Sequence, residues 1–476
     1  MMNETRKNDE DKEKENWYVN WSTKMIFPQL SGPKIEVHIK TLPAERGEII
    51  DRKGRPLAVN GQQASVGIEP DKLKNDSKKK FADVAGLSMK EIESKLSASW
   101  VKPNYFVPIV KIPLDQKEKL SQLLAIPGVL EQKVPARIYP YHEAAGHLTG
   151  YIGPISAEEL KAHENEGYSS SSEIGKSGLE AIFEKKLKAD DGNVIYTTDA
   201  DGNRLKTIAK KEPKNGETVR LTINAELQKR LYEEISKSGD VGTAAAINPK
   251  TGEVLALVTA PDFDPSTIHS NFHKLQSNPK NPLLNRFNQA YSPGSSFKPI
   301  TAAIGLETGV LDPDHEMQIN GPWQPNKSWG SFRVHRVDRL SSVNLRNALV
   351  YSDNIYFART AYQIGEEDFL QGAKQFGFGQ KLPSFPFPIE PAQVAGSDGF
   401  SGKMQLANSG YGQGKVLTSA LQLTDAYTPF VNNGDLIKPT LLLNAAKSPQ
   451  VWKKDVISKK TSDTIVNDLI QVVENP

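Results

Sequence analysis

Ser295 and Lys298 stand three residues apart in the run Tyr291-Ser-Pro-Gly-Ser-Ser-Phe-Lys-Pro299. Pro293-Gly294 breaks the preceding chain, and Ile300-Thr-Ala-Ala-Ile304-Gly-Leu306 continues as a helical pattern that stops at Gly309. Pro299 has no N–H, so it fits only in or near a first turn, which places the helix start near Ser295 or Ser296. Residues three apart share one helix face, and a helix N-terminus favours developing negative charge. An alcohol becomes a usable nucleophile when a neighbour takes its proton, and a desolvated lysine can do so. The spacing alone says little, because it recurs at Ser31/Lys34, Ser77/Lys80, Ser99/Lys102 and Ser277/Lys280. Only the Ser295 pair lies between a Pro-Gly break and a helical run.

A second element, Tyr351-Ser352-Asp353-Asn354, falls between helical patterns at Val343 to Tyr351 and Ile355 to Gln363. Its hydroxyl and carboxamide could pass a proton and hold a peptide. The same residues also suit an ordinary cap for the second helix. A third, Gly410-Tyr411-Gly412-Gln413-Gly414, has three glycines in five residues, which means tight backbone and close approach; by itself it reads as a turn.

These elements need a scaffold. The chain has 476 residues, 37% hydrophobic and 24% charged, enough for two or three domains. A net charge of +2 and the lack of a basic stripe with interleaved aromatics argue against nucleic acid as a partner. The absence of cysteine excludes disulfides, thiolate chemistry and Cys-based metal sites. No stretch reaches the roughly 18 apolar residues of a membrane span. Met1 to Asn16 is almost all charged and polar, lacks the apolar core of a signal peptide, and reads as a solvated tail. The apolar cluster from Trp17 to Leu30 is too short to bury itself.

Short alternating strands begin near Ile35, with a turn at Lys53-Gly54. Helices are expected near 77–85, 88–96, 115–124 and 179–187, and a hairpin turns at Asp201-Gly202. Asn224 to Ser236 carries Leu227, Leu231 and Ile235 at helical spacing. Gly242 to Asn248 and Glu253 to Thr259 read as strands joined across Pro249-Lys-Thr-Gly252, and a long helix is expected from Ser419 to Asn432. The division is 1–31, a charged tail and domain remnant; 32–216, an α+β module; and 217–476, a more apolar domain.

Taken together and in this order, the three elements resemble those of class B penicillin-binding proteins, whose set is S-x-x-K, S-D-N and K-T-G. The resemblance extends to Arg46-Gly47-Glu-Ile-Ile-Asp51-Arg52-x-Gly54, Arg137-x-Tyr139-Pro140, His147 to Tyr151 and Gly175-x-x-Gly178-Leu179-Glu180, which fit a pedestal or dimerisation domain. Pro249-Lys-Thr-Gly-Glu-Val-Leu-Ala256 and Pro261-x-Phe263-Asp264-Pro265 fit the first strands of a transpeptidase domain. Trp17 to Leu30 is similar to the end of the extra N-terminal domain of the low-affinity, methicillin-resistance-type branch. The implied fold is α+β multidomain: an antiparallel transpeptidase sheet flanked by helices, preceded by the pedestal. The resemblance implies that Ser295 is acylated, Lys298 is its base, Ser352 relays a proton and Asn354 binds the substrate amide. Tyr411, Gly412, Gln413 and Gly414 would line the substrate. No cofactor or metal is implied. The implied partners are peptidoglycan stem peptides, β-lactams and other wall-synthesis proteins, at the extracytoplasmic face of the membrane.

One element departs from the pattern. Lys250-Thr251-Gly252 precedes Ser295 and Lys176-Ser177-Gly178 belongs to the pedestal, so neither serves as the K-T-G strand, and none follows Asn354. The chain therefore reads as truncated at both ends, with the last strands of the sheet and one oxyanion donor missing. The leading expectation is a serine D,D-transpeptidase. The alternative is a catalytically incomplete remnant or non-catalytic wall-synthesis protein. A β-lactamase lacks support because no Glu-x-x-Leu-Asn follows the Ser-Asp-Asn loop; a carboxypeptidase would use the same serine.

Overall fold

A computed structural model describes residues 19, 21–28, 30, 34–336, 340–443 and 448–474. The expected tail at Met1 to Asn16 and the aromatic pair Trp17-Tyr18 lie outside these residues. Within the neighbouring cluster, Val19, Trp21, Met25 and Ile26 are exposed. Among the described residues no helix is long and apolar enough to cross a membrane.

The chain forms two compact units. The first comprises residues up to 47, 165–167 and 185–217. Its sheet is antiparallel, with Gly192–Thr198 between Glu36–Leu42 and Arg204–Lys211. The predicted turn at Asp201-Gly202 closes on Asp199, whose Oδ1 accepts from the amides of Asp201 and Asn203 at 3.0 and 2.9 Å.

The second unit holds residues 48–164, 168–184 and 218–476. Compactness thus groups most of the region expected at 32–216 with the region 217–476. Side chains within this unit explain the grouping. Asp51, fully buried, accepts from the amides of Lys53, Arg55 and Ala225 and from Arg55 Nε. Burial alone would raise its pKa, but these donors prevail and hold it below the usual carboxylate value. Arg55 also reaches Asn224, which caps the helix Ala225–Lys237. Gln228 on that helix is buried and bonds the carbonyls of Ala144 and Leu257. His142 bridges Asp115 and Asp264 at 3.0 and 3.2 Å, and His147 lies 2.8 Å from Asp262.

The pedestal signatures converge as well. Arg137 Nε donates to Glu180 at 2.7 Å, both side chains being buried. Gly150 and Gly178 have φ of 69° and 55°, and a Cβ on Gly178 would sit 2.3 Å from the Gly150 nitrogen. Both conditions favour glycine. The long strand Pro56–Ile68 pairs with Val107–Pro113 and Val129–Ile138, and one face buries Ala64, Val66 and Ile68 against Phe81, Ile92 and Leu123.

The largest core surrounds the helix Lys298–Glu307, in which Lys298 through Gly305 are all buried. Its small residues, Ala302, Ala303 and Gly305, let neighbours approach on several sides; a helix apolar all round belongs inside a fold. It packs with Phe357, Ala358 and Ala361 of the helix Asn354–Ile364 and with Phe369 of Glu366–Gln375. The strands Gly242–Ile247 and Val254–Ala260 form the expected hairpin. Two helix expectations, one short and one long, differ from the structure. Residues 179–187 split into Gly178–Ile182 and Glu184–Leu187. The 419–432 segment splits into Ala420–Ala426 and Thr428–Val431, because Pro429 has no N–H to continue a helix and sits in a first turn.

Candidate active site

The chain enters the central helix through a 3₁₀ turn, Gly294–Phe297, before the α-helix starts at Lys298. Ser295 is therefore in the first turn and exposed, with its amide where helices lack an internal acceptor. Phe297 anchors this turn: it is fully buried and makes ring contacts with Phe369 and Phe378. Lys298 extends from the buried side and is only 2% exposed.

The Ser-Asp-Asn loop occupies the space opposite. Asp353 caps the helix Asn354–Ile364, accepting from the amides of Ile355 and Tyr356 at 2.8 and 3.0 Å. The capping role expected of this loop is real, and it falls to Asp353. Ser352 and Asn354 are left to face the lysine. Lys298 Nζ lies 3.1 Å from Ser295 Oγ, 2.8 Å from Ser352 Oγ, 2.5 Å from the Ser352 carbonyl oxygen and 2.8 Å from Asn354 Oδ1. Asn354 Nδ2 donates to the His335 carbonyl at 3.2 Å, which fixes its amide with one hydrogen spare.

Burial disfavours the ammonium and brings Lys298 down from 10.5 to about 8, although the nearby Asp353 carboxylate opposes the shift. Donor counting fits the neutral amine. Its two N–H groups satisfy the Ser352 carbonyl and Asn354 Oδ1, and the lone pair remains for a hydroxyl proton. The arrangement can take a proton from Ser295 and return one through Ser352.

The glycine-rich run supports the Ser295 turn from behind. The Gly412 carbonyl accepts from the Gly294 amide at 3.0 Å and from Ser292 Oγ at 2.8 Å. Gly412 has φ 74°, and a Cβ there would lie 1.9 Å from the Gly294 carbonyl oxygen. Tyr411 does not line a ligand surface as expected. Its ring is 5% exposed within the core and its hydroxyl bonds Asn408, because the tight turn directs it inward. Gln413 and Gly414 are exposed. Lys250-Thr251-Gly252 lies in the hairpin turn and Lys176-Ser177-Gly178 beside the short helix Gly178–Ile182. Among the described residues no cluster of three or more His, Asp or Glu groups could hold a metal.

Two contributors have no motif of their own. Tyr427 donates its hydroxyl to the Ser296 carbonyl at 2.5 Å, bracing the turn that carries Ser295. Arg336 Nη1 meets Asp353 Oδ2 at 2.6 Å. Neither shows periodicity or spacing that would have marked it.

A buried lysine that meets two serines at the start of a core helix is what acyl-transfer chemistry needs, and comparison with known proteins gives the class of fold. Residues 242–476 match the penicillin binding protein transpeptidase domain, and residues 41–221 match the penicillin-binding protein dimerisation domain. The chain is 41% identical over 473 residues to penicillin-binding protein 3 of Bacillus subtilis, covering 97% of this chain and 70% of that one. It is 30% identical over 431 residues to the peptidoglycan D,D-transpeptidase MrdA of Acinetobacter baumannii, covering 86% of this chain and 63% of that one. With MrdA of Escherichia coli K12 it shares 26% identity over 443 residues, 87% of this chain and 69% of that one. The chain belongs to the class B penicillin-binding proteins.

Proposed function

We propose that this chain carries the acylation centre of a penicillin-binding peptidoglycan D,D-transpeptidase. The observation that carries this reading is a buried amine, that of Lys298, within hydrogen-bonding reach of both Ser295 and Ser352. Neutral Lys298 takes the Ser295 proton as Oγ bonds to the carbonyl carbon of the penultimate D-alanine. The bond from that carbon to the terminal D-alanine nitrogen breaks, and the departing amine receives a proton through Ser352. An acyl ester on Ser295 remains. An amine from a neighbouring stem peptide attacks it, forms the cross-link and restores the hydroxyl. The Ser295 amide supplies one donor to the oxyanion. A β-lactam acylates the same oxygen, its ring C–N bond breaking in place of the peptide bond.

Asn354, with one amide hydrogen spare, would hold the donor peptide. Gln413 and Gly414 border the turn that carries Ser295. The two MrdA relatives are named as peptidoglycan D,D-transpeptidases, which supports stem peptides as substrate and the extracytoplasmic face of the membrane as the place of work. Other wall-synthesis proteins would engage the dimerisation domain. The resemblance of Trp17 to Leu30 supports the low-affinity branch.

Fluorescent penicillin tests the reading on this chain and on one lengthened by a Lys-Thr-Gly strand. The lengthened chain takes a covalent label that Ser295→Ala abolishes and Lys298→Ala slows by about 10²–10⁴-fold. A label that survives Ser295→Ala overturns the reading. Absence of label from both chains favours the non-catalytic alternative.

A further inference from the structure

Arg336 lies outside every motif, yet its side chain is only 9% exposed and is committed to the loop that faces Lys298. Nη1 donates to Asp353 Oδ2 at 2.6 Å, and Nη2 donates to the carbonyls of Ile319, at 3.4 Å, and Leu340. The other Asp353 oxygen is occupied by the helix-capping amides of Ile355 and Tyr356. The preceding residue, His335, accepts from Asn354 through its carbonyl oxygen. Consecutive residues 335 and 336 thus grip consecutive residues 354 and 353. Ser352, next in line, has φ 54°. A residue with a side chain keeps such a left-handed backbone only where its surroundings determine it strongly. Ser352 and Asn354 together supply three of the four oxygens around Lys298 Nζ.

We propose that Arg336 is a positioning residue for acylation: by clamping Asp353 it fixes the Ser352 and Asn354 acceptors and offsets the Asp353 charge beside Lys298. The inference rests on the reading of Lys298 as base. Both halves of the role follow from placement. The clamp is geometric, because a planar guanidinium that donates from Nη1 to Asp353 and from Nη2 to two backbone carbonyls has fixed donor directions that a lysine does not reproduce. The charge effect follows from proximity. Asp353 is the charged group whose field reaches Lys298, the Phe357 ring at 5.9 Å being its neighbour on the adjoining helix. Arg336 is the cation on Asp353. Without Arg336, an unbalanced carboxylate would stabilise the ammonium and leave less free base.

The test is the titration of Lys298 itself, followed by the NMR shift of its side-chain Cε and assigned with Lys298→Arg. It needs no turnover, so it stands or falls separately from the proposed function. R336M is expected to raise the midpoint by roughly half a unit to one unit, roughly three- to tenfold less neutral amine at pH 7. D353N keeps an Asx cap, removes the charge, and is expected to lower the midpoint. The double variant should return close to the parent value. R336K should restore the midpoint without restoring the parent labelling rate in the lengthened chain. A purely structural Arg336 would lower the melting temperature and leave the R336M midpoint at the parent value, and that result overturns the proposal. Should R336M not fold, D353N decides: an unmoved midpoint also overturns it. Loss of labelling from every chain, parent included, would sink the proposed function while the titrations still answer this question.

Discussion

Gly412→Ala and Gly414→Ala make a controlled pair. Both glycines have left-handed backbones, with φ of 74° and 72°, and both belong to the same short run. An alanine in either place carries the conformational cost, about 1–2 kcal/mol. Their surroundings differ. A Cβ at 414 would meet nothing closer than 3.6 Å, whereas at 412 it would lie 1.9 Å from the Gly294 carbonyl oxygen and 2.9 Å from Phe297 Cβ. A backbone oxygen has no rotamer to swing aside, so Gly294 must retreat by about 1 Å or more, at an overpacking cost of about 1–3 kcal/mol beyond the shared term. Gly294 immediately precedes Ser295 and bonds the Gly412 carbonyl through its amide. A displacement near 1 Å at a reacting group can cost about 10²-fold in rate. Urea denaturation should therefore rank parent, then Gly414→Ala, then Gly412→Ala, with a gap of about 1–3 kcal/mol between the variants. Fluorescent-penicillin labelling of the lengthened chain should fall about 10²-fold for Gly412→Ala and change little for Gly414→Ala. Equal losses in both assays would refute the reasoning, since backbone conformation alone would then account for them.

Labelling should need the neutral Lys298 amine and so rise with pH to a plateau above about 8, standing about 100-fold below it at pH 6; a pH-independent rate would contradict this. The same group makes folding more favourable as pH rises from about 8 toward 10.5, because across that window the unfolded chain binds the extra proton; Lys298→Met should abolish that slope in urea titrations. His142 works in the opposite direction. The hydrogen bond it donates to the Asp264 carboxylate raises it to about 9, so its stabilisation is complete below 6.5 and disappears as pH rises through about 9. With a third of the side chain exposed, that contribution is about 1–2 kcal/mol, and His142→Asn, which tolerates the φ of 44°, should remove the difference between pH 6 and pH 10. Arg137→Met removes the cation that meets the fully buried Glu180 carboxylate and should cost about 3–5 kcal/mol, with Arg137→Met/Glu180→Leu recovering much of the loss in urea denaturation.

The sequence made the Ser295 turn, Lys298 and the Ser-Asp-Asn loop legible because each depends on local signals: a Pro-Gly break, a three-residue helical spacing, and a short polar run between two periodic segments. The pedestal signatures were legible for the same reason, although spacing could not show that Arg137 meets Glu180 or that Gly150 meets Gly178. Those are long-range contacts, and one chain carries no record of which distant residues touch. Tyr411 was misread because a turn sequence gives the backbone bend but not the side of it on which an aromatic falls. The 419–432 segment read as one helix from its apolar content, while Pro429 placed a new start inside it. Arg336 gave no signal at all, since a guanidinium in an aperiodic loop looks the same whether it is solvated or clamping a carboxylate.

The geometry around Lys298 also explains why the proposed base is built from a helix with so little polar character. A lysine in that position must lose water to act as a base near neutral pH, and the desolvation that frees its lone pair opposes folding by about 3 kcal/mol at pH 7, from the 2.5-unit displacement implied by 10.5 and about 8. A solvated helix face could not supply the desolvation, and a buried one without acceptors would leave the two remaining N–H groups unsatisfied. The structure meets both conditions by different elements. Ile300, Ala302, Ala303 and Ile304 bury the helix on all sides, which removes water and offsets the cost through apolar burial. Ser352 and Asn354 reach in from a separate loop with just the oxygens the amine requires. The proposed reactive pair is thus local in sequence while the surroundings of its amine are set by a loop more than fifty residues away, so damage to that loop should change the titration of Lys298 before it changes the fold.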